Sequence, residues 1–312
     1  MNGYEAAKLV MDEVNKVIIG KPEVVKQVMM SIIAGGHVLI EDIPGVGKTT
    51  LATAFSKVLS LKYNRMQFTP DVMPSDITGF SVYNKEKGTF EYKEGVIMCN
   101  LFLADEINRT SSKTQSALLE AMEEGKVTVD GVTRNLEKPF VVIATQNPIG
   151  SVGTTLLPES QLDRFMFKIS IGYPSRENEI LVLRDKDKQK SVEDINAIIS
   201  SEELVNICEE VQKVFVHDYV LRYIVDIAEA TRKNDMVRLG ISPRGTIAVL
   251  KAAKAAAYLD GRDFVTPEDV REVIVPVANH RILVSARGKM EQLTEEDIIG
   301  EIIRRIQVRR QE

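Results

Sequence analysis

Gly45, Gly47, Lys48 and Thr49 fall within "EDIPGVGKTT" (Glu41–Thr50) at the spacing of a loop that holds phosphate. Such a loop works through backbone N–H groups that converge on phosphate oxygens at a helix N-terminus. Gly45 and Gly47 permit close backbone approach and unusual dihedrals. Lys48 supplies a point charge for the outer phosphates, its side chain expected to face ligand rather than core. The Thr49 hydroxyl suits Mg²⁺, and Pro44, Val46 and Thr50 complete the stretch. The generic pattern asks for glycine where this chain has Asp42. Aspartate tolerates left-handed dihedrals, and its carboxylate can point away from the phosphates, so the loop can survive the exchange. Read alone, the stretch is also compatible with a chance Gly-x-Gly-Lys-Thr turn.

A second constellation changes that balance. "LFLADEINR" ends an apolar run in Asp105-Glu106, as does the metal-and-base pair of a phosphate-loop hydrolase. Asp105 would hold the Mg²⁺ shell and Glu106 would orient and polarise the attacking water. Alone, the pair equally describes two carboxylates capping the next helix. "VIATQNP" ends the following apolar run with Asn147, whose amide could position the water; an Asn-Pro turn reads the same way. Two matching motifs on what read as neighbouring strands make coincidence a poor account.

The elements needed to position these residues are legible. "HVLIE", "NLFLADE" (100–106) and "PFVVIAT" (139–145) are short apolar runs of buried-strand length. They alternate with helical patterns: Pro22 to the Gly35-Gly36 stop, "KTTLATAFSKVLS", and "SSKTQSALLEAMEEG" with Leu118, Leu119 and Met122 inward. The fold class expected is α/β, a phosphate-loop parallel sheet with helices on both faces, followed by a smaller all-α domain. Two hairpins interrupt the pattern, one over 79–95 turning near Lys87-Gly88, one over 126–134 turning at Asp130-Gly131. From about Pro174 the chain reads as helix after helix: 176–190, 201–215, 218–233, 243–259, 267–279 and 295–310. Ser200/Glu203 reads as a capping box, and Ser242-Pro243 and Thr266-Pro267 as helix starts. The boundary falls near "GYPS", giving domains at 1–174 and 175–312.

Composition narrows the class further. At 312 residues and a formal net charge of −5, the chain offers no electrostatic case for a dedicated nucleic-acid binder. Only Cys99 and Cys208 are present, which fits a reducing cytosol better than a disulfide framework or a zinc site. The N-terminal residues read as a charged amphipathic helix and not a signal peptide, and the uncharged run 139–158 is too polar to span a membrane. The basic cluster "RRIQVRR" (304–310) reads as cations at a helix C-terminus in preference to a contact for an acidic partner.

These motifs together resemble the AAA+ ATPases, and within them the MoxR family. The resemblance runs from about Lys16 to past Arg244 and rests on "HVLIEDIPGVGKTT", "FTPDVMPSDITGF", "LADEINRTSSKTQSALLEAMEE", "VIATQNP", "LPESQLDRFMF" and "SPRG". MoxR-like sequences often carry an acidic residue where Asp42 stands. The resemblance implies that Asn147 is the sensor-1 residue, that Arg164 in "LDRF" is the arginine finger offered to a neighbouring subunit, and that Arg244 in "SPRG" is sensor 2. It further implies that "VIIG", with Ile19 and Gly20, lines the adenine pocket, and that the 79–95 hairpin is the helix-2 insert. Each arginine is also compatible with a surface salt bridge, and "VIIG" with plain core packing. Arg244 has support of its own: a cation in a helix's first turn is opposed by the dipole, so an anion is expected nearby. By resemblance the chain is a cytoplasmic, Mg²⁺-dependent ATPase that works as a homo-oligomeric ring, a hexamer, remodelling a protein client such as one with a von Willebrand factor A domain. A nucleotide-gated scaffold and a DNA motor of the same clade are the alternatives.

Overall fold

The computed structural model describes residues 2–147, 157–184 and 191–308. Five parallel strands form the central sheet: β1 (Val38–Glu41), β2 (Tyr63–Gln67), β5 (Leu101–Asp105), β8 (Val141–Gln146) and β9 (Phe167–Ile169), with β3 (Gly79–Asn84) and β4 (Thr89–Glu94) forming one hairpin and β6 (Lys126–Val129) and β7 (Val132–Asn135) the other. The spatial order is β2-β5-β8-β1-β9. Alternation along each strand divides the core between the two faces. Val38, Ile40, Leu101, Leu103, Ile143 and Phe167 pack on one side; Leu39, Phe102, Ala104, Val142 and Ala144 pack on the other. The second face is covered by the helix Ser112–Glu124, through Leu118, Leu119 and Met122 as its sequence pattern predicts.

The expected α/β class therefore holds. One placement differs: the loop-bearing β1 and the Asp-Glu-bearing β5 are not neighbours, because β8, which leads into Asn147, lies between them and pairs with both. Strand β2 gave no apolar run in the sequence. "YNRMQ" is only half-buried, because it is an edge strand, and it stays in the sheet by pairing with β5 from Tyr63–Leu101 to Gln67–Asp105.

Beyond β9 the described chain is mostly helical: Arg176–Arg184, Ser201–Lys213, Asp218–Lys233, Pro243–Leu259, Pro267–Ala278, Ala286–Met290 and Glu295–Arg305. The capping box at Ser200/Glu203 is present, and Ser242 accepts from the Gly245 N–H. A short strand pair, β10 (Val237–Leu239) with β11 (Leu283–Val284), was not legible because its partners lie more than 40 residues apart. The last helix stops at Arg305, short of the expected 310, where Ile306 turns to extended backbone. Ile306 and Val308 then pack alternately on the core, which a continuing helix would not allow. Residues 185–190 and 309–310 of the expected helices lie outside the described residues. One apolar cluster runs without a break from the face of β1 and β5 into these helices, through Ala252, Val273, Ile274 and Ile299.

Candidate functional site

β1 ends at Glu41 and the helix Lys48–Val58 begins seven residues later, with the glycine-rich loop between them. Gly45 (φ 88°) and Gly47 (φ 93°) both occupy the left-handed region, and a Cβ built on either would meet nothing within 4 Å. The loop is thus shaped by glycine dihedrals around open space, not around packed side chains. A cavity of about 370 Å³ opens there, lined by Pro44, Gly45, Gly47, Lys48, Thr49, Thr50, Arg65, Asp105, Glu106 and Asn147. Val46 packs on the core instead. Ile19 is half-buried and Gly20 exposed beside Asn178; neither lines this cavity.

Asp42 does not take the left-handed conformation expected of it: its φ is absent from the positive values among the described residues. Its role is hydrogen bonding. The carboxylate points away from the cavity and accepts from Ile43 N (2.9 Å), Ser170 Oγ (3.0 Å), Ile171 N (2.7 Å) and Gly172 N (2.6 Å). Burial alone would raise its pKa; these bonds, from Gly172 foremost, outweigh burial and hold it below the usual carboxylate range. Its carbonyl accepts from Lys48 Nζ. Lys48 is accordingly more buried than expected, 8 % exposed, while still lining the cavity. Burial lowers its pKa, and the charges of Asp42, Asp105 and Glu106 oppose that.

The acidic pair is held from three strands. Asp105 accepts from Thr145 Oγ1 (2.6 Å) on β8 and Arg65 on β2 (2.8 Å). Glu106 follows in the left-handed region (φ 56°, ψ 49°), its N–H donating to Thr145 Oγ1 (2.8 Å). For a residue with a Cβ that conformation is strained, and it turns the carboxylate out of the strand towards the cavity. Three side chains donate to it: Arg109 (2.8 Å), Gln67 (2.8 Å) and Asn147 (2.9 Å). Arg109 is the main reason that Glu106 titrates below its usual range, burial acting the other way. A carboxylate held ionised beside an amide can accept from, orient and polarise a water. Thr49 and Asp105 offer a hydroxyl and a carboxylate, the oxygen donors that Mg²⁺ takes.

Sequence reasoning missed Arg65, Gln67, Arg109 and Thr145. Arg109 and Thr145 lie within stretches that attracted notice; Arg65 and Gln67 sit on the edge strand that carries no pattern.

Arg164 and Arg244 are not on this cavity. Both reach Glu123: Arg164 Nη2 lies 3.3 Å from Oε2, and Arg244 Nη2 lies against Oε1. The anion expected near Arg244 is thus, in this chain alone, a carboxylate. Among the described residues the buried Arg164 Nε has no acceptor.

A glycine-rich loop after one central strand, an acidic pair ending another and an amide between them make up the site of a phosphate-loop ATPase. Residues 37–167 match the ATPase family associated with various cellular activities (AAA), and residues 229–302 match the AAA lid domain. The chain is 47% identical over 298 residues to protein YeaC of Bacillus subtilis, covering 96% of this chain and 93% of that one. It is 38% identical to the chaperone MoxR1 of Mycobacterium tuberculosis, covering 94% and 80%. A crystal structure from Cytophaga hutchinsonii, 37% identical, superposes with a TM-score of 0.91 over 99% of this chain and 96% of that one. The chain belongs to the MoxR family of AAA+ ATPases. Among the described residues no helix is long and apolar enough to cross a membrane.

Proposed function

We propose that this ATPase uses Mg²⁺-dependent hydrolysis of ATP to drive chaperone-like remodelling of a protein client, working as a cytoplasmic homo-oligomeric ring whose sites lie between subunits. The observation that carries the reading is the split between the two sets of charged residues. Lys48, Thr49, Asp105, Glu106 and Asn147 share one cavity, whereas Arg164 and Arg244 share Glu123 elsewhere.

In the first set, the backbone of Gly45–Thr50 cradles the phosphates and Lys48 leaves the Asp42 carbonyl to meet them. Thr49 and Asp105 would hold Mg²⁺, whose charge would offset that of the phosphates. Glu106, steadied by Asn147, polarises the attacking water. Residues 1–174 form the nucleotide-binding unit and 175–312 the helical lid, with Ile19 and Gly20 at the adenine. In the second set, Arg164 as finger and Arg244 as sensor 2 serve the ATP of the next subunit in a head-to-tail ring, a hexamer as the family resemblance suggests. The relative named as the chaperone MoxR1 supports the remodelling role, and a partner with a von Willebrand factor A domain is the expected client.

Mixing variants tests the shared site. Arg164→Ala is expected to bind ATP and hydrolyse it poorly, since trans arginines contribute about 10³–10⁵ in rate in comparable enzymes. Lys48→Ala is expected to fail at binding. Co-assembled in equal amounts, roughly a quarter of interfaces pair an intact loop with an intact finger, and activity returns. No recovery, with mixed rings proven by mass spectrometry, refutes action in trans.

A further inference from the structure

Arg281 is the most enclosed cation associated with the arginine face. Its side chain is 2 % exposed, just beyond the helix Pro267–Ala278. Its Nε donates to Asp163 Oδ1 (2.7 Å). Its two Nη groups donate to the carbonyls of Asp163, Phe165, Met166 and Val277. Five oxygen acceptors thus face the guanidinium, four of them on the segment 163–166 that carries Arg164, and Nη1 also lies 2.8 Å from His280 Nε2. A buried charge held from so many sides resists displacement, because a shift that leaves a donor unpaired costs about 1–3 kcal/mol.

The other carboxylate oxygen of Asp163 reaches the helix start that carries the second arginine. Asp163 Oδ2 accepts from Ser242 Oγ (2.8 Å), and Ser242 is the N-cap whose Oγ also accepts from Gly245 N (3.0 Å). Arg244 lies between those two residues. Gly245 is needed there: a Cβ would sit 2.7 Å from Arg281 Cδ. One ion pair, buried on the arginine side and half-buried on the aspartate side, therefore lies beside Arg164 in the chain and, through one hydroxyl, is linked to the helix start that carries Arg244.

Both arginines then converge on Glu123. Glu123 is in the last turn of its helix and Arg244 in the first turn of its own, each at the end its helix dipole opposes. Their pairing offsets both penalties. The two cations are thus spaced to grip one anion, and Glu123 occupies that place in the single chain.

We propose that Asp163 and Arg281 are positioning residues that lock Arg164 and Arg244 into one rigid anion grip, so that hydrolysis at a neighbour's site depends on a pair that touches no nucleotide. The proposal rests on the trans reading above. Asp163→Asn keeps the shape but removes the counter-charge of Arg281. It is expected to fold, to bind ATP with parental affinity, and to lose at least tenfold in kcat. Complementation separates this from general damage. Mixed with Lys48→Ala, whose arginine face is intact, Asp163→Asn recovers activity; mixed with Arg164→Ala, which has the same face damaged, it does not. Should Asp163→Asn not fold, Ser242→Gly decides, since glycine is tolerated at an N-cap with little helix cost while the hydroxyl link to Asp163 is lost. It is expected to lower kcat several-fold with ATP affinity unchanged. Parental kcat in whichever variant folds, or recovery between Asp163→Asn and Arg164→Ala, overturns the proposal. Parental kcat in Arg164→Ala itself would instead overturn the trans reading.

Discussion

Replacing Asp42 with glycine restores the generic phosphate-loop pattern, so pattern alone would call the change harmless. The structure predicts a loss of stability. Four donors lose their acceptor: Ile43 N, Ser170 Oγ, Ile171 N and Gly172 N. A hydrogen bond to a charged group contributes about 1.5–3 kcal/mol net, and a buried donor left unpaired costs about 1–3 kcal/mol. The four do not add, because Ser170 is exposed and Gly172 half-buried, so water replaces part of what is lost, whereas Ile171 is buried. Glycine gives no backbone relief, since Asp42 is not in the left-handed region, and it adds about 0.5–1 kcal/mol of unfolded-state entropy. The sum is a loss of about 2–5 kcal/mol in urea denaturation followed by circular dichroism. The loss is pH-dependent. Asp42 has a folded pKa below its ordinary 3.8, so its contribution is fully present above that value and disappears as pH falls through the folded pKa. The gap between parent and variant is therefore constant at neutral pH and narrows only below about pH 4. ATP affinity is expected to change less than tenfold, because the carboxylate faces 170–172 and not the cavity. A stability loss under about 0.5 kcal/mol, or a tenfold gain in affinity, about 1.4 kcal/mol, refutes this account.

Lys48→Ala is expected to abolish most ATP binding in a fluorescent-nucleotide titration, with a modest stability loss because the Asp42 carbonyl loses its donor; parental affinity would mean that the loop does not hold phosphate. Glu106→Gln keeps the shape but removes the carboxylate, and is expected to lower turnover about 10²–10⁴-fold with ATP still bound; normal turnover would place the base elsewhere.

The sequence by itself determined the class of fold and the two ends of the chemistry. Short apolar runs ending in Gly-x-Gly-Lys-Thr and Asp-Glu are local patterns, and the strand–loop–helix around Lys48 follows from residues within about twenty positions of each other. Helix starts at Ser200, Ser242 and Thr266 were legible for the same reason, because a cap is set by residues three apart. What only the tertiary structure decided is who meets whom. β8 comes between β1 and β5, which brings Asn147 to Glu106. The edge strand that carries Arg65 and Gln67 has no pattern, because half of it faces solvent and its pairing is non-local. Asp42 looked like a backbone device and is an acceptor for a segment about 130 residues later. Asp163 and Arg281 are 118 positions apart; Asp163 falls in the quoted "LDRF" stretch, but nothing local marks it as the partner of Arg281. Periodicity and capping act through neighbours in the chain and so can be read from it. Buried ion pairs and strand order are settled by closure of the whole core, where charges must find partners wherever the fold brings them.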